Sequence, residues 1–369
     1  MNSTKMSRDL VQTAAIHIPI IMSTTLMCKK RPHGGSTLGR RYIRRDRKER
    51  HDQIINDYFK GEQSKYTREH FRRRFRMNVE LFNHILRAIE TNDDYFTQKT
   101  DAFGKLGLSP LQEMMAVVRM LAYGCPADFL DEYVQIGEST AIESLKHFCD
   151  VVIRVFETQY LRKPNTNDIA RLLKEGEDRG FPGMLGSLDY RSPLFDDLIN
   201  ESAPLCDFVV QGHQYNMGYY LSDGIYPSYA TLIQTISQPT SIKEKLFAER
   251  QEAVRKDVER AFGVLQSRWH IVKGPARMWN AKDLGKIMKT CIILHNMIIE
   301  SEYHQGINPE SWEPHADEMV DQVDIEHDYT FLVSKMINRM KQVRDTGRHN
   351  NLKMDLINHL WDNYGGQQT

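Results

Sequence analysis

Apolar residues recur every three or four positions between residues 109 and 157, and this spacing predicts three successive helices. Ser109 and Pro110 form the first helix start, because Pro is favoured at the first helical position. Gly124 would end that helix, Pro126 would open a short second one, and Ser139 would cap the third. The buried face of the third helix would consist of Ile142, Leu145, Phe148, Cys149, Val152 and Phe156.

This three-helix segment is either an ordinary bundle or a helix-turn-helix that binds DNA. In the DNA-binding interpretation, the third helix would present its polar residues to the major groove. Two of those residues are glutamates, which phosphates repel, so the pattern alone favours the bundle. The predicted outward-facing residues are Glu138, Ser139, Thr140, Glu143, Ser144 and Lys146.

Short apolar runs follow residue 181 and predict buried strands. One run, at residues 184–188, leads to Asp189, and another, at residues 217–221, leads to Asp223. A predicted helix over residues 251–269 then carries Glu259 on the flank of its apolar face. The chain is therefore predicted to be α+β and mostly α, with a helical amino-terminal region before the strands.

Asp189, Asp223 and Glu259 form a suitable ligand set for Mg²⁺ or Mn²⁺, because hard divalent cations take oxygen ligands. Two such ions can activate a water and stabilise the leaving oxygen when phosphorus is attacked in line. Taken singly, each carboxylate has an ordinary structural interpretation. An Asp before a turn caps backbone amides, and a Glu on a helix flank pairs with an arginine such as Arg255 or Arg260.

The formal net charge is +0, a value that argues against a nucleic-acid partner until the positions of the charges are considered. Residues 29–76 contain 17 Lys/Arg and six Asp/Glu, a local charge of +11. Residues 300–330 contain ten Asp/Glu and no Lys/Arg, a local charge of −10. The net charge of zero therefore conceals a basic amino-terminal region, a feature that favours nucleic-acid binding.

The arginine-rich stretch at residues 40–50 precedes any periodic apolar pattern and is predicted to be a flexible arm. It is either a solvated charged face or a patch for nuclear import and phosphate contact. Residues 68–76 interleave arginines with Phe71 and Phe75, which predicts an amphipathic helix with its arginines outward. The predicted nucleic-acid-binding residues are Arg40, Arg41, Arg44, Arg45, Arg47, Lys48, Ser139, Thr140 and Lys146.

The cysteines and the amino-terminal apolar run indicate the kind of cellular compartment in which the protein is expected. Five widely spaced cysteines without a C-x-x-C pair fit neither a disulfide framework nor a thiolate zinc site, so a reducing compartment is expected. The apolar run at residues 10–27 is too short and too polar for a spanning helix. Residues 1–28 are interpreted as a mobile leader, and no membrane association is predicted.

Four motifs occur in order and together resemble the DDE domain of PIF/Harbinger-type transposases and of the plant-type nuclease-like proteins derived from them. They are GMLGSLD at residues 183–189, YLSDGIYP at 220–227, RKDVERAFGVLQSR at 255–268 and LHNM at 294–297. The resemblance implies an RNase H-like fold whose catalytic, metal-binding triad is Asp189, Asp223 and Glu259. It also implies double-stranded DNA as substrate, a helix-turn-helix before the triad, a nuclear location and a separate Myb-like protein as partner.

The sequence departs from the family pattern directly after the first aspartate. Asp189 leads straight into RSPL at residues 191–194, and a stretch of about fifty residues, enough for two strands and their connections, is absent. We therefore expect the family's hairpin to be missing, with no room for it between Asp189 and Asp223. The first strand would become a sheet edge, and catalysis would be lost or badly impaired.

These patterns give four predicted regions: a disordered basic leader (1–50), a helical, helix-turn-helix-like region (51–175), a truncated RNase H-like domain lacking a hairpin (176–300), and an acidic linker with carboxyl-terminal helices (301–369). Within the linker region, residues 331–340 and 352–361 are predicted helices. A further helix over residues 284–299 carries His295 on its apolar face, where a core role is favoured over a ligand role.

Three functional hypotheses remain open from the sequence. The chain is a DDE nuclease that retains phosphodiester chemistry, a non-catalytic transposase-derived DNA-binding or adaptor protein, or the product of a decayed or mis-spliced transposase gene. The three ordered carboxylates favour the first, whereas the basic region and the gap after Asp189 favour the second.

Overall fold

The structure, a computed structural model, describes residues 43–102, 104–162, 164–187, 205–222, 224, 231–273, 280–306 and 346–365. The chain divides into two compact units. The helical unit comprises residues 19–160 and 265–307, and the α/β unit comprises residues 161–264 with 1–18 and 308–369. The domain boundaries expected from the sequence, at residues 50, 175 and 300, stay predictions.

The described part of the helical unit is built from α-helices joined by short turns. These are α1 (Arg47–Tyr58), α2 (Arg68–Phe75), α3 (Val79–Asn92), α4 (Pro110–Tyr123), the one-turn α5 (Asp131–Val134), α6 (Glu138–Tyr160) and α9 (Ala281–His304). In the α/β unit the described elements are α7 (Thr166–Asp178), β1 (Met184–Ser187), β2 (Leu205–Val210), β3 (His213–Met217), β4 (Tyr219–Ser222), β5 (Leu232–Gln234), α8 (Ile242–Arg268) and α10 (Thr346–Tyr364). The last four residues of α8, 265–268, belong to the helical unit. The chain is mostly helical with a small β component, as predicted.

The helix limits around α4 confirm the predicted start and stop. Ser109 accepts from the backbone N–H of Gln112 and the Gln112 side chain accepts in return, a capping box that satisfies two free amides. Gly124 ends the helix in the left-handed conformation (φ 59°), which glycine adopts without strain. The third helix starts at Glu138, one residue before the predicted cap Ser139.

Aromatic rings form the centre of the helical unit's amino-terminal half. Phe71 and Phe75 are buried on α2, as predicted, and pack against Phe82 with ring centroids 5.4 and 5.6 Å away. The arginines around them do not all face outward. Arg76 is only 2% exposed, so the predicted orientation is wrong for that residue.

Residues 43–50 correct the expectation of a flexible arm. The helix α1 begins at Arg47, so residues 47–50 belong to a regular element. Arg45 donates from Nε to Asp131 Oδ1 at 2.6 Å and so ties the chain just before α1 to α5. Residues 1–42 of the predicted leader lie outside the described residues.

The α/β unit contains a three-stranded parallel sheet in the order β1-β4-β5 and a separate antiparallel pair, β2-β3. Within this unit α7 packs against β1, and α10 packs against β2 and β5. The core is a cluster of buried residues drawn from the strands, α8 and α10. It consists of Phe181, Met184, Val210, Tyr215, Tyr219, Leu221, Ile233, Phe247, Leu352, Leu356, Ile357 and Leu360.

The prediction that the interval between the two aspartates cannot hold a hairpin is wrong. The predicted apolar run at residues 208–210 lies in β2, which pairs with β3 around a turn at Gln211 and Gly212. This hairpin does not extend the parallel sheet. Among the described strands β1 pairs with β4 alone, so β1 lies at the sheet edge as expected.

The carboxyl-terminal helix was predicted at residues 352–361, and the structure extends it to Thr346–Tyr364. Its role could not be read from the sequence. Leu352, Leu356 and Leu360 lie on one face at helical spacing and are buried in the α/β core. The other predicted carboxyl-terminal helix, at residues 331–340, lies outside the described residues.

Candidate functional site

The first two candidate carboxylates follow the carboxyl ends of neighbouring strands. β1 and β4 run parallel with Ser187 opposite Leu221, and Asp189 comes two residues after Ser187. Asp223 directly follows Ser222, the last residue of β4. Both aspartates lie outside the described residues. Because the carboxyl ends of adjacent parallel strands meet at one edge of a sheet, Ser187 and Ser222, which precede the two aspartates in the chain, lie at the same edge.

The third carboxylate belongs to a helix that is anchored at this edge. Gln251 on α8 is fully buried, and its Nε2 donates to the backbone oxygens of Ser222 at 3.0 Å and Ile233 at 3.2 Å. Glu259 lies eight residues further along the same helix, about 12 Å at the ordinary helical rise. Its side chain is outside the described part of the structure.

Gln251 was missed from the sequence, although a signal exists. It occupies the apolar face of α8, four residues after Phe247 and three before Val254, and a polar residue at such a position needs a partner. Its two hydrogen bonds join the last residue of β4 to the middle residue of β5. The helix is thereby fixed to the strand that leads to Asp223.

Among the described residues, three buried polar atoms at or beside the strand ends lack a hydrogen-bond partner. They are Ser187 Oγ, Ser222 Oγ and Gln251 Oε1. Oxygen donors of this kind suit a hydrated divalent cation, which takes oxygen ligands and brings its own waters. In the part of the chain that the structure describes, no group of three or more His, Cys, Asp or Glu side chains could hold a metal ion. The metal site therefore stays a prediction.

The predicted nucleic-acid contacts near α1 divide into three kinds. Arg40 and Arg41 lie outside the described residues. Arg44 and Lys48 are exposed and Arg47 is half-buried. Arg45 is engaged in its ion pair with Asp131, so it holds structure together rather than presenting a free charge.

On α6 the predicted outward face is only partly exposed. Ser139 is exposed and Thr140 half-buried, but Ser144 is fully buried and its hydroxyl donates to Thr140 O at 2.9 Å. The prediction that Ser144 faces outward is wrong. Lys146 is exposed and pairs with Asp283 of α9 at 3.0 Å. Two further ion pairs continue this contact between α6 and α9, Asp150 with Lys286 and Glu157 with Lys289. The helix-turn-helix interpretation stays a prediction.

His295 is a core residue, as predicted. It is fully buried on α9, and its Nδ1 lies 3.3 Å from Nη1 of the buried Arg268. Burial and the nearby guanidinium hold the pKa of His295 well below its usual value, so the ring is neutral. Arg268 pairs with Glu302 at 3.3 Å, and Glu302 also binds Arg72 of α2 at 2.7 Å. This group is a structural charge network.

Comparisons with known proteins address the same regions. Residues 158–191 and 190–306 match the family model of plant transposon proteins in two consecutive pieces. Residues 51–90 match a domain family of unknown function, DUF8418. The chain is 26% identical over 136 residues to a Protein ALP1-like of Arabidopsis thaliana, an alignment that covers 33% of this chain and 31% of the relative. No solved structure matches. No described helix is both long and apolar enough to span a bilayer.

Proposed function

Because the chain carries a plant transposon protein domain and is a transposase-derived protein of the DDE type, we propose that it is a nuclease-like DNA-binding protein with impaired cleavage activity. Its ancestral chemistry is two-metal cleavage of DNA phosphodiester bonds. Double-stranded DNA is the proposed ligand and the nucleus the proposed location. A Myb-like protein is the proposed partner for DNA-end recognition.

The observation that carries this proposal is the parallel pairing of β1 with β4. It brings the chain positions before Asp189 and Asp223 to one sheet edge, while Gln251 anchors the helix that carries Glu259 to that edge. These three carboxylates would hold Mg²⁺ or Mn²⁺. When bound, such ions activate water and stabilise the leaving oxygen in phosphodiester cleavage.

Two observations support impairment of the cleavage step. The family match is divided at residues 190–191, where the sequence departs from the family pattern. In addition, β1 has one strand partner among the described residues, and the hairpin β2-β3 forms a separate sheet. A two-metal site requires its ligands to be held within a fraction of an ångström by the elements around them. An edge strand gives the first aspartate less support than a central strand would.

The test is cleavage of supercoiled plasmid and of labelled duplex DNA by the purified full chain with Mn²⁺ or Mg²⁺. We expect wild type and Glu259→Gln to give the same background, while both retain DNA binding. Metal-dependent nicking by wild type that Glu259→Gln abolishes would show a working nuclease instead.

The basic stretch at residues 29–76 favours a non-catalytic DNA-binding or adaptor protein as the second candidate. The second candidate binds no catalytic metal ion, whereas the first still does. Isothermal titration calorimetry with Mn²⁺ therefore distinguishes the two.

A decayed or mis-spliced product is the third candidate. Sequencing the transcript across the codons for Asp189 and Tyr190 tests it, since an in-frame exon there would restore the absent stretch.

A further inference from the structure

Two sets of arginines in the helical unit differ in what their guanidinium groups contact. In the first group each guanidinium pairs with a carboxylate. The pairs are Arg45 with Asp131, Arg68 with Glu80, and Arg72 and Arg268 with Glu302. These arginines have their charge compensated within the protein.

In the second group, tyrosines take the place of carboxylates. Arg74 lies 4.0 Å from the ring centroid of Tyr66 and donates to the hydroxyl of Tyr58. Arg119 lies 4.3 Å and Arg50 4.5 Å from the ring centroid of Tyr133. The hydroxyls of Tyr58 and Tyr133 are 3.2 Å apart and join the two halves. We call this set the arginine–tyrosine ladder: Arg50, Tyr58, Tyr66, Arg74, Arg119 and Tyr133.

The ladder retains three positive charges. None of Arg50, Arg74 and Arg119 forms an ion pair with a carboxylate among the described residues. A neutral tyrosine attracts a guanidinium without cancelling its charge. Burial raises the pKa of Tyr133, so its hydroxyl stays protonated at neutral pH. Lys65, exposed and 5.3 Å from the Tyr66 ring centroid, adds a fourth cation at one end.

The ladder is also ordered in advance. Arg50, Arg74 and Arg119 are half-buried, and each guanidinium group rests on a ring or donates to a fixed oxygen. Fixed side chains lose less conformational entropy when an anion binds. Planar guanidinium groups can donate two parallel hydrogen bonds to a phosphate, which gives them the right geometry for this ligand.

The rings themselves favour the phosphate backbone over the bases. Tyr58 is only 4% exposed, and the guanidinium groups occupy the faces of Tyr66 and Tyr133. Little ring surface is left on which a base could stack, so single-strand recognition by stacking is disfavoured. Resting on the proposed function, we infer that the arginine–tyrosine ladder binds the phosphate backbone of duplex DNA, without reading its sequence.

The experiment is fluorescence anisotropy of a labelled duplex titrated with the full chain at several KCl concentrations. Each lost phosphate contact lowers the slope of log K against log salt by about 0.9 in magnitude. We expect Arg74→Gln to lower it by about 0.9 and the triple variant Arg50→Gln/Arg74→Gln/Arg119→Gln by about 2.7. The control is Arg68→Gln, which removes the same charge from the same helix but from a carboxylate pair, and the slope should not change.

Folding is monitored by circular dichroism, since Arg74 also contacts Tyr58. If the triple variant unfolds, the charge-keeping pair Arg74→Lys and Arg119→Lys replaces it, and near-normal slopes with weaker affinity are expected. If wild type binds duplex DNA but the glutamine variants show the same slope of log K against log salt, the ladder does not contact the phosphates. DNA binding would then belong to another part of the chain. Absence of wild-type binding at low salt would overturn the proposed function as well. A polyglutamate that binds as tightly as duplex DNA, with the same sensitivity to the variants, would assign the ladder to an acidic protein instead.

Discussion

In the helical unit the aromatic cluster of Phe71, Phe75 and Phe82 comes from one short stretch of chain, whereas the α/β core draws residues from position 181 to position 360. Each unit nevertheless depends on one distant segment. In the helical unit that link includes a charge network, in which Glu302 of α9 reaches Arg72 of α2. In the α/β unit the distant segment is α10, which contacts the rest of the core through its apolar face. Distant segments are thus held in the two units by chemically different contacts, which respond differently to substitution.

Removing the charge at Glu302 should give the largest effect. Glu302→Gln removes the carboxylate that pairs with the fully buried Arg268. Breaking a buried ion pair costs about 3–5 kcal/mol. Urea unfolding at neutral pH measures the loss. Glu80→Gln, in the exposed pair with Arg68, is the control and should cost at most about 1 kcal/mol. If Glu302→Gln and Glu80→Gln lower the free energy of unfolding equally, the buried network does not stabilise the helical unit.

Removing apolar volume from α10 should come next. Leu356→Ala creates a cavity in the α/β core, and such truncations cost about 2–5 kcal/mol. Met354→Ala on the same helix, where Met354 is 58% exposed, should have almost no effect. Thermal unfolding of both variants provides the measurement. If Leu356→Ala does not lower the unfolding temperature, α10 contributes little to the stability of the core.

A buried acid should make the helical unit sensitive to pH. Burial, with a smaller contribution from Glu143, raises the pKa of Glu113 to about 8, against the attraction of Lys99 and Arg47. The folded state therefore favours the protonated acid. Its contribution to stability is complete below the unfolded pKa of 4.5 and is lost as pH rises through about 8, a change on the order of a few kcal/mol.

Glu113→Gln should flatten this pH dependence, because the amide stays neutral throughout. Unfolding midpoints between pH 5 and 8.5 provide the readout, with the exposed Glu80→Gln retaining the wild-type profile. A Glu113→Gln profile as steep as that of wild type would assign the pH dependence to other groups.

The smallest effect should come from the anchor at the strand ends. Gln251→Leu keeps the side-chain bulk but leaves the oxygens of Ser222 and Ile233 without this donor, at about 1–3 kcal/mol. Faster amide hydrogen exchange in β5 should accompany the loss. The neighbouring Glu252→Gln, on the exposed side of α8, serves as control. Unchanged exchange in β5 would show that the anchor is not needed.

Local patterns predicted the elements well where one chain segment contains its own signals. The capping box and Gly124 defined α4, and the two phenylalanines four residues apart, Phe71 and Phe75, defined α2. The hairpin β2-β3 was missed because β3 is mostly polar and exposed, so only its partner strand resembled a strand in isolation. Ser144 was placed outward because helical spacing alone does not reveal that Tyr95 covers it.

The sequence by itself determined the mostly helical α+β composition, the order of the three candidate carboxylates and the family resemblance, because these depend on local periodicity and on motifs. Only the tertiary structure decided that β1 and β4 are parallel neighbours and that Gln251 joins β4 to β5. It also decided that some arginines pair with carboxylates while Arg50, Arg74 and Arg119 rest on tyrosines. A charge in a sequence has no partner until folding supplies one, so which charges remain available to a ligand is set by packing.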